Sequence, residues 1–213
     1  MNAPLTLYGM SGSVYTRVAQ IVLVEKGLSH DHHEIDPFEL PLPASFAAMH
    51  PFGRVPVLTH GDFTLYETQA ITTYLDTAFP GAPLIPSDDK ARARMIQVMS
   101  LVDAYGYWPL VRQVFVQRVW NPLDNLPVDQ QALEDGLEVS QKVIAALEAI
   151  AAEGLVLKPE SFTRADAHLA PMIDYFRMAP EGADMLACHS ALSAWWHAVQ
   201  ARPSVHKTSP RLS

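Results

Sequence analysis

Glu67 and Thr68 stand where a β-prone run gives way to a segment with Ala70, Ile71, Tyr74, Leu75 and Ala78 on one helical face. The start of a helix offers unpaired N–H groups and a partial positive charge. A carboxylate can therefore sit on the Thr68 hydroxyl and the first amides while Glu67 meets an ammonium. Those two charges together describe an α-amino acid. The plainer reading of the same pair is a helix cap with a favourable acid in its first turn. Upstream, Val55-Pro56 precedes the run Val57-Leu58-Thr59-His60. An X-Pro bond prefers trans by only about 0.5–1 kcal/mol and can be held cis. A cis turn here leaves the N–H and C=O of Val55 free to pair with an extended peptide, as a short added strand. Its plainer reading is a proline that protects a strand edge.

Other reactive residues carry less. His30, His32 and His33, with Asp31 and Glu34, have the composition of a metal site. Alternate residues of a strand point to opposite faces, however, and no distant Cys or His pattern completes the set, so a solvated edge strand is expected. Cys188 lies far along the chain, away from any loop after the first strand. No Ser-His-Asp order stands out, and no glycine-rich phosphate loop is present. Tyr105, Tyr107, Trp108, Val111 and Phe115 recur at roughly helical spacing and suit either an apolar pocket wall or a core stripe.

These residues need elements to position them. Leu5–Tyr8 alternate weakly, and the loop Gly9-Met10-Ser11-Gly12-Ser13 feeds a run with Val14, Val18, Ile21 and Val22 at helical spacing, closed by Gly27. His30–Ile35 reads as a short polar strand, Pro37–Pro43 as a loop and Ala44–Met49 as a short helix. Gly61-Asp62 between two alternating runs reads as a hairpin. The first 80 residues therefore read β-α-β-α-β-β-α. After a proline-rich linker, residues 81–87, the segment 88–213 reads as all helix. One long helix is expected over Asp88–Arg118, bent at Pro109. A second carries Leu133, Leu137, Ile144, Leu147 and Ala151 and ends at Gly154, and a fourth runs from Ser190 to Ala201. The third starts at Thr163-Arg164-Ala165-Asp166, a capping-box pattern with Asp in place of Glu, which assigns Asp166 to folding.

Composition narrows the functions these elements can serve. Of 213 residues, 49% are hydrophobic and 18% charged, enough apolar material for a real core and against disorder. The longest nearly apolar stretches fall far short of the about 20 residues that cross a bilayer. With 15 Lys and Arg against 23 Asp and Glu, the net charge of −8 argues against general nucleic-acid binding. A single cysteine cannot form an intrachain disulfide, and no secretory pattern opens the chain, so a cytoplasmic protein is expected.

The layout, together with Gly9-Met10-Ser11-Gly12-Ser13-Val14-Tyr15-Thr16-Arg17, His50-Pro51-Phe52-Gly53-Arg54-Val55-Pro56, Tyr66-Glu67-Thr68 and Ser161-Phe162-Thr163-Arg164-Ala165-Asp166, resembles the cytosolic glutathione transferase family over nearly the whole chain. The pattern looks like that of a bacterial relative of the serine type, closest to the plant phi class. The resemblance implies a thioredoxin-like βαβαββα domain followed by a helical-bundle domain. It implies a cis Val55-Pro56, glutathione as co-substrate, and no metal or redox cofactor. By alignment Ser13 falls at the catalytic position, with Ser11 and Tyr8 as alternates. A free thiol near pKa 8.5 is only a few per cent ionised at neutral pH, so a hydroxyl donor at the N-terminus of the first helix supplies what a thiolate needs.

The family places the γ-glutamyl end of glutathione at Glu67 and Thr68, usually with Ser where this chain has Thr, and its cysteinyl backbone at Val55. No cation lies in Pro37–Pro43 to hold the glycyl carboxylate, so that contact is unassigned; Arg54 can reach it, since a guanidinium binds a carboxylate bidentately, and the plainer reading is an exposed surface arginine. The electrophile pocket is expected at Tyr107, Trp108 and Val111, and a homodimer contact at Phe52. The expected reaction is attack of the glutathione thiolate on a hydrophobic electrophile. Two alternatives stand beside it: a glutathione-dependent peroxidase acting on organic hydroperoxides, and a non-catalytic binding protein on the same fold.

Overall fold

The structure, a computed structural model, describes residues 3–209. The chain divides into two compact units, one running up to Pro83 and taking in the chain from His206, the other spanning Leu84–Val205. The sequence places everything from residue 88 onward in the second domain. The structure instead returns the chain from His206 to the first unit, where Arg17 Nη2 donates to Ser209 Oγ at 3.4 Å.

In the first unit the order is β1 (Leu5–Gly9), α1 (Val14–Glu25), β2 (Asp31–Glu34), α2 (Ala44–Ala47), β3 (Val57–His60), β4 (Phe63–Tyr66) and α3 (Thr68–Ala78). Among the described residues the strands form one four-stranded sheet in the order β2-β1-β3-β4. β1 runs parallel to β2 and antiparallel to β3, and β3 antiparallel to β4. Leu5, Leu7 and Gly9 of β1 turn inward in strict alternation. β2 lies at the sheet edge with its four polar residues largely exposed, which is how a short charged strand protects an edge. Gly61 takes φ +59° in the two-residue turn that sets His60 opposite Phe63.

Ser13 caps the start of α1, and Gly27 at φ +64° ends it. The Leu28 N–H reaches back to Leu23 O at 2.9 Å and the Gly27 N–H to Val24 O at 3.0 Å, which satisfies the last carbonyls. A Cβ on Gly9 would come within 2.7 Å of Thr16 Cγ2, so only bare backbone lets the first turn of α1 settle on the end of β1. α1 packs on α3 through buried apolar side chains such as Val22, Leu23, Ile71 and Leu75. Beside them the Lys26 ammonium is buried on three acceptors: Asp76 Oδ1 and Asp76 O, each at 3.1 Å, and Ala82 O at 3.3 Å.

The second unit opens with α4 (Asp89–Leu101), capped by Asp88, whose carboxylate accepts from the Ala91 N–H at 2.8 Å. The run is helical past Leu101, as expected, and extends beyond Arg118. It continues through π-helical turns at Val102–Gly106 and Trp108–Trp120 into α5 (Asn121–Leu123). In these turns the bonds reach one residue further back, as from the Tyr107 N–H to Val102 O and from the Asn121 N–H to Val116 O. Pro109 lies in the first turn of the longer π segment, where a missing N–H is tolerated.

α6 (Gln130–Ala152) packs along that segment, and α7 (Arg164–Phe176) is buried along its whole length. Thr163 and Asp166 form the expected capping box, and the Trp195 Nε1–H also donates to Asp166 at 2.7 Å. α8 (Pro180–Ala187), α9 (Ser190–Gln200) and α10 (Pro203–Thr208) complete the chain. α8 and α10 go beyond the elements expected from the sequence; each opens on a proline, which suits a first helical position. Among the described residues no helix is long and apolar enough to cross a membrane.

Candidate active site

The loop between β1 and α1 separates the three hydroxyl candidates. Ser13 is half-buried at the N-cap of α1 with extended backbone, φ −75° and ψ 129°, and its own N–H closes a turn onto Met10 O at 2.8 Å. Its Oγ accepts from the Thr16 N–H at 3.4 Å, at the long end of hydrogen bonding. The hydroxyl proton has no acceptor among the described residues. Ser13 thus caps the helix and keeps a donor to offer, beside the positive end of the α1 dipole. Ser11 differs: its hydroxyl donates to Glu34 Oε2 at 2.6 Å and its N–H to Glu34 Oε1 at 2.7 Å, so its donors are already spent. Tyr8 lies within β1, half-buried, its ring stacked on His33 with centroids 5.0 Å apart.

The second cluster gathers around β3, β4 and the start of α3. The Val55–Pro56 bond is cis, and neither the N–H nor the C=O of Val55 has a partner among the described residues. Glu67 occupies the N-cap of α3 at φ 70°, a left-handed conformation rare outside glycine, and its side chain makes no capping bond. Thr68 follows, buried at the first helical position. The opening of α3 is therefore uncapped by any side chain of its own. The plain capping reading does not hold at this helix, whose N-terminus carries the partial positive charge that favours a carboxylate.

His50 is the residue here that the sequence reading passed over as a binder. It is buried, and its Nδ1 accepts from the Phe52 N–H at 3.2 Å. Its ring lies against Tyr66 with centroids 4.6 Å apart. Burial pushes the imidazole below its ordinary value, the Glu67 carboxylate opposes that shift, and the Arg54 guanidinium adds to it. Arg54 and Glu67 are both exposed, and their charges act on this ring with opposite sign. The only advance signal was its place at the head of His50-Pro51-Phe52-Gly53.

Of the expected pocket residues, all in the second unit, Trp108 is 62% exposed and Tyr107 half-buried. Val111, at 5% exposure, is buried like Leu110, Val114 and Phe115. Phe115 stacks on Tyr175 at 4.4 Å between centroids and is likewise core. Phe52 is 71% exposed, and its ring meets the His50 ring edge-on with centroids 6.0 Å apart. Cys188 is exposed in the second unit. Among the described residues no group of three or more His, Cys, Asp or Glu side chains is arranged to hold a metal ion.

A sheet with a cis-proline turn, a serine at the head of its first helix and an uncapped acid-threonine helix start define a thiol-binding class of fold. The comparisons agree. Residues 7–83 match the family model described as "Glutathione S-transferase, N-terminal domain", and residues 107–203 match "Glutathione S-transferase, C-terminal domain". The chain is 33% identical to "Glutathione S-transferase 3" of Zea mays, covering 97% of this chain and 93% of that protein. It is 30% identical to "Glutathione S-transferase F13" of Arabidopsis thaliana, covering 98% and 96%. Among solved structures, that of glutathione S-transferase III in apo form superposes with a TM-score of 0.83 at 30% identity, covering 97% of this chain and 95% of that one. The chain belongs to the glutathione S-transferase family. It is a glutathione transferase, with glutathione as co-substrate, on a thioredoxin-like unit followed by an all-helical one. These two relatives are plant proteins, and they do not support the expected bacterial origin.

Proposed function

We propose that Ser13 is the catalytic residue: its hydroxyl donates to the sulfur of bound glutathione and holds it as a thiolate, which attacks an electrophilic carbon of a hydrophobic compound. The observation that carries this reading is the uncommitted Ser13 hydroxyl proton at the N-terminus of α1, beside a Ser11 hydroxyl already given to Glu34. The γ-glutamyl carboxylate sits on Thr68 and the first amides of α3, with its ammonium on Glu67. The cysteinyl backbone pairs with Val55 as an added strand, and Arg54 takes the glycyl carboxylate.

Tyr107 and exposed Trp108 contribute to the electrophile site. The enzyme is a cytoplasmic homodimer of the serine type, with Phe52 as an anchor between subunits. A ring this exposed on the surface of one subunit supports that contact.

The test is glutathione-dependent turnover of a panel of aryl halides, epoxides and enones, run beside cumene hydroperoxide. Conjugation that falls in Ser13→Ala supports the reading. Turnover of the hydroperoxide alone makes the enzyme a peroxidase, and glutathione binding without turnover of any compound makes it a binder; either outcome overturns the proposal.

A further inference from the structure

The acid and histidine of the edge strand, expected to be merely solvated, meet the loop that carries Ser13. β2 runs parallel to β1 with Glu34 level with Gly9, which brings its carboxylate beside the residues that follow β1. Oε1 accepts the Ser11 N–H at 2.7 Å, and Oε2 accepts the Ser11 hydroxyl at 2.6 Å. Residues two apart on a strand share a face. His32 accordingly lies on the same side, its Nε2 3.1 Å from Glu34 Oε2 and 3.5 Å from Ser11 Oγ.

The loop is fixed at its start by the Ile35 N–H on Gly9 O at 3.3 Å and at its end by the Ser13 N–H on Met10 O at 2.8 Å. Ser11 lies between those two anchors, and Glu34 takes both of its donors. Partial burial pushes the Glu34 carboxyl up, but the hydrogen bonds from Ser11 and His32 outweigh it and hold the group below its ordinary value. The carboxylate is therefore ionised wherever the enzyme works. Hydrogen bonds to an ionised acceptor are the stronger kind.

We propose that Glu34 is a positioning residue for the transfer reaction: by clamping Ser11 it fixes the turn from Met10 to Ser13 and aims the Ser13 hydroxyl at the glutathione sulfur. The inference rests on the reading of Ser13 as the thiolate donor. It concerns a carboxylate that touches no reacting atom, and its sign is distinctive. A negative charge near a thiolate disfavours it, so a purely electrostatic Glu34 would make the bound thiol more acidic when removed. A clamp makes it less acidic.

The experiment follows thiolate absorbance near 240 nm of glutathione bound to the full-length protein, titrated with pH, in wild type, Glu34→Ala, Glu34→Gln, Ser13→Ala and the Glu34→Ala/Ser13→Ala pair. Glu34→Ala is expected to raise the bound thiol pKa by about half a unit to one unit, roughly a threefold to tenfold loss of thiolate on the acid side. kcat at pH 6.5 falls by the same factor, while KM for glutathione stays within about twofold, since the clamp does not touch the peptide ends. Glu34→Gln falls between, and Glu34→Ala adds little once Ser13 is gone. Should Glu34→Ala not fold, Ser11→Ala replaces it and shifts the thiol in the same direction by less. If Ser13→Ala raises the thiol pKa while Glu34→Ala leaves it in place or lowers it, the clamp is overturned and the Ser13 reading survives. If Ser13→Ala itself shifts nothing, the Ser13 reading fails and the clamp loses the group it is said to aim.

Discussion

Replacing Ser13 by alanine isolates one hydrogen bond to sulfur. A bond from a neutral donor to an ionised acceptor contributes about 1.5–3 kcal/mol, and one pKa unit corresponds to about 1.4 kcal/mol. The bound thiol is thus expected to rise by roughly 1–2 units toward the free value near 8.5. The direction follows from charge: the donor stabilises the thiolate, so its loss favours the protonated thiol. Below the wild-type pKa the thiolate fraction, and with it kcat/KM, falls by about tenfold to a hundredfold. Above about pH 9.5, where a free thiol ionises unaided, the two enzymes converge.

The fold tolerates the change. The cap bond from the Thr16 N–H to Ser13 Oγ is long at 3.4 Å, and loss of a weak cap costs about 0.5–1 kcal/mol. The assay is the pH profile of kcat/KM with a chromogenic aryl halide, accompanied by the thiolate absorbance of the binary complex. An acid limb that stays within about 0.3 unit of wild type, in a folded variant that binds glutathione, would refute the reasoning.

Other changes separate binding from chemistry and stability. Thr68→Val keeps the buried shape at the start of α3 but loses the hydroxyl, so KM for glutathione should rise by about fivefold to tenfold, the worth of one hydrogen bond, with the bound thiol pKa unmoved. Asp76→Ala leaves the buried Lys26 ammonium with two backbone carbonyls and no counter-charge, since the two side chains are 2% and 1% exposed and 3.1 Å apart. It should lower unfolding stability by about 3–5 kcal/mol, while Lys26→Met with Asp76→Leu recovers most of that loss in urea titrations. His50 carries a depressed folded pKa, so its contribution to stability is present above the unfolded value of 6.5 and drains away as pH falls from there through the lower folded value. The urea midpoint should fall between pH 7.5 and 5.5 in wild type and fall less in His50→Asn; equal slopes would discount the histidine.

Features set by a few neighbouring residues were readable in advance. Thr163 and Asp166 lie three apart, and their reciprocal bonds require only a helix that starts there. The Gly61-Asp62 turn and the order β-α-β-α-β-β-α follow from period and punctuation in the same way. The helical run past Leu101 was also expected, but its π turns were not, because a π turn takes about one residue more than the α period used to read it. The two short helices that open on a proline, Pro180–Ala187 and Pro203–Thr208, were not foreseen, because a proline ends one helix and equally starts another and only the following residues decide which.

The candidate site divides along the same line. Ser13, Val55 and Thr68 stand in motifs of adjacent residues and could be named from the sequence. What distinguishes Ser13 from Ser11 is non-local: the two hydroxyls are two residues apart, and only the parallel register that sets Glu34 beside the loop gives one of them a carboxylate and leaves the other its proton. Register is a property of the paired strands, not of either strand alone. His50 follows the same logic, since Phe52 and Tyr66 meet around its buried ring and the charges of Glu67 and Arg54 act on it. A motif locates the reacting group, and the long-range pairing decides which proton it can give away.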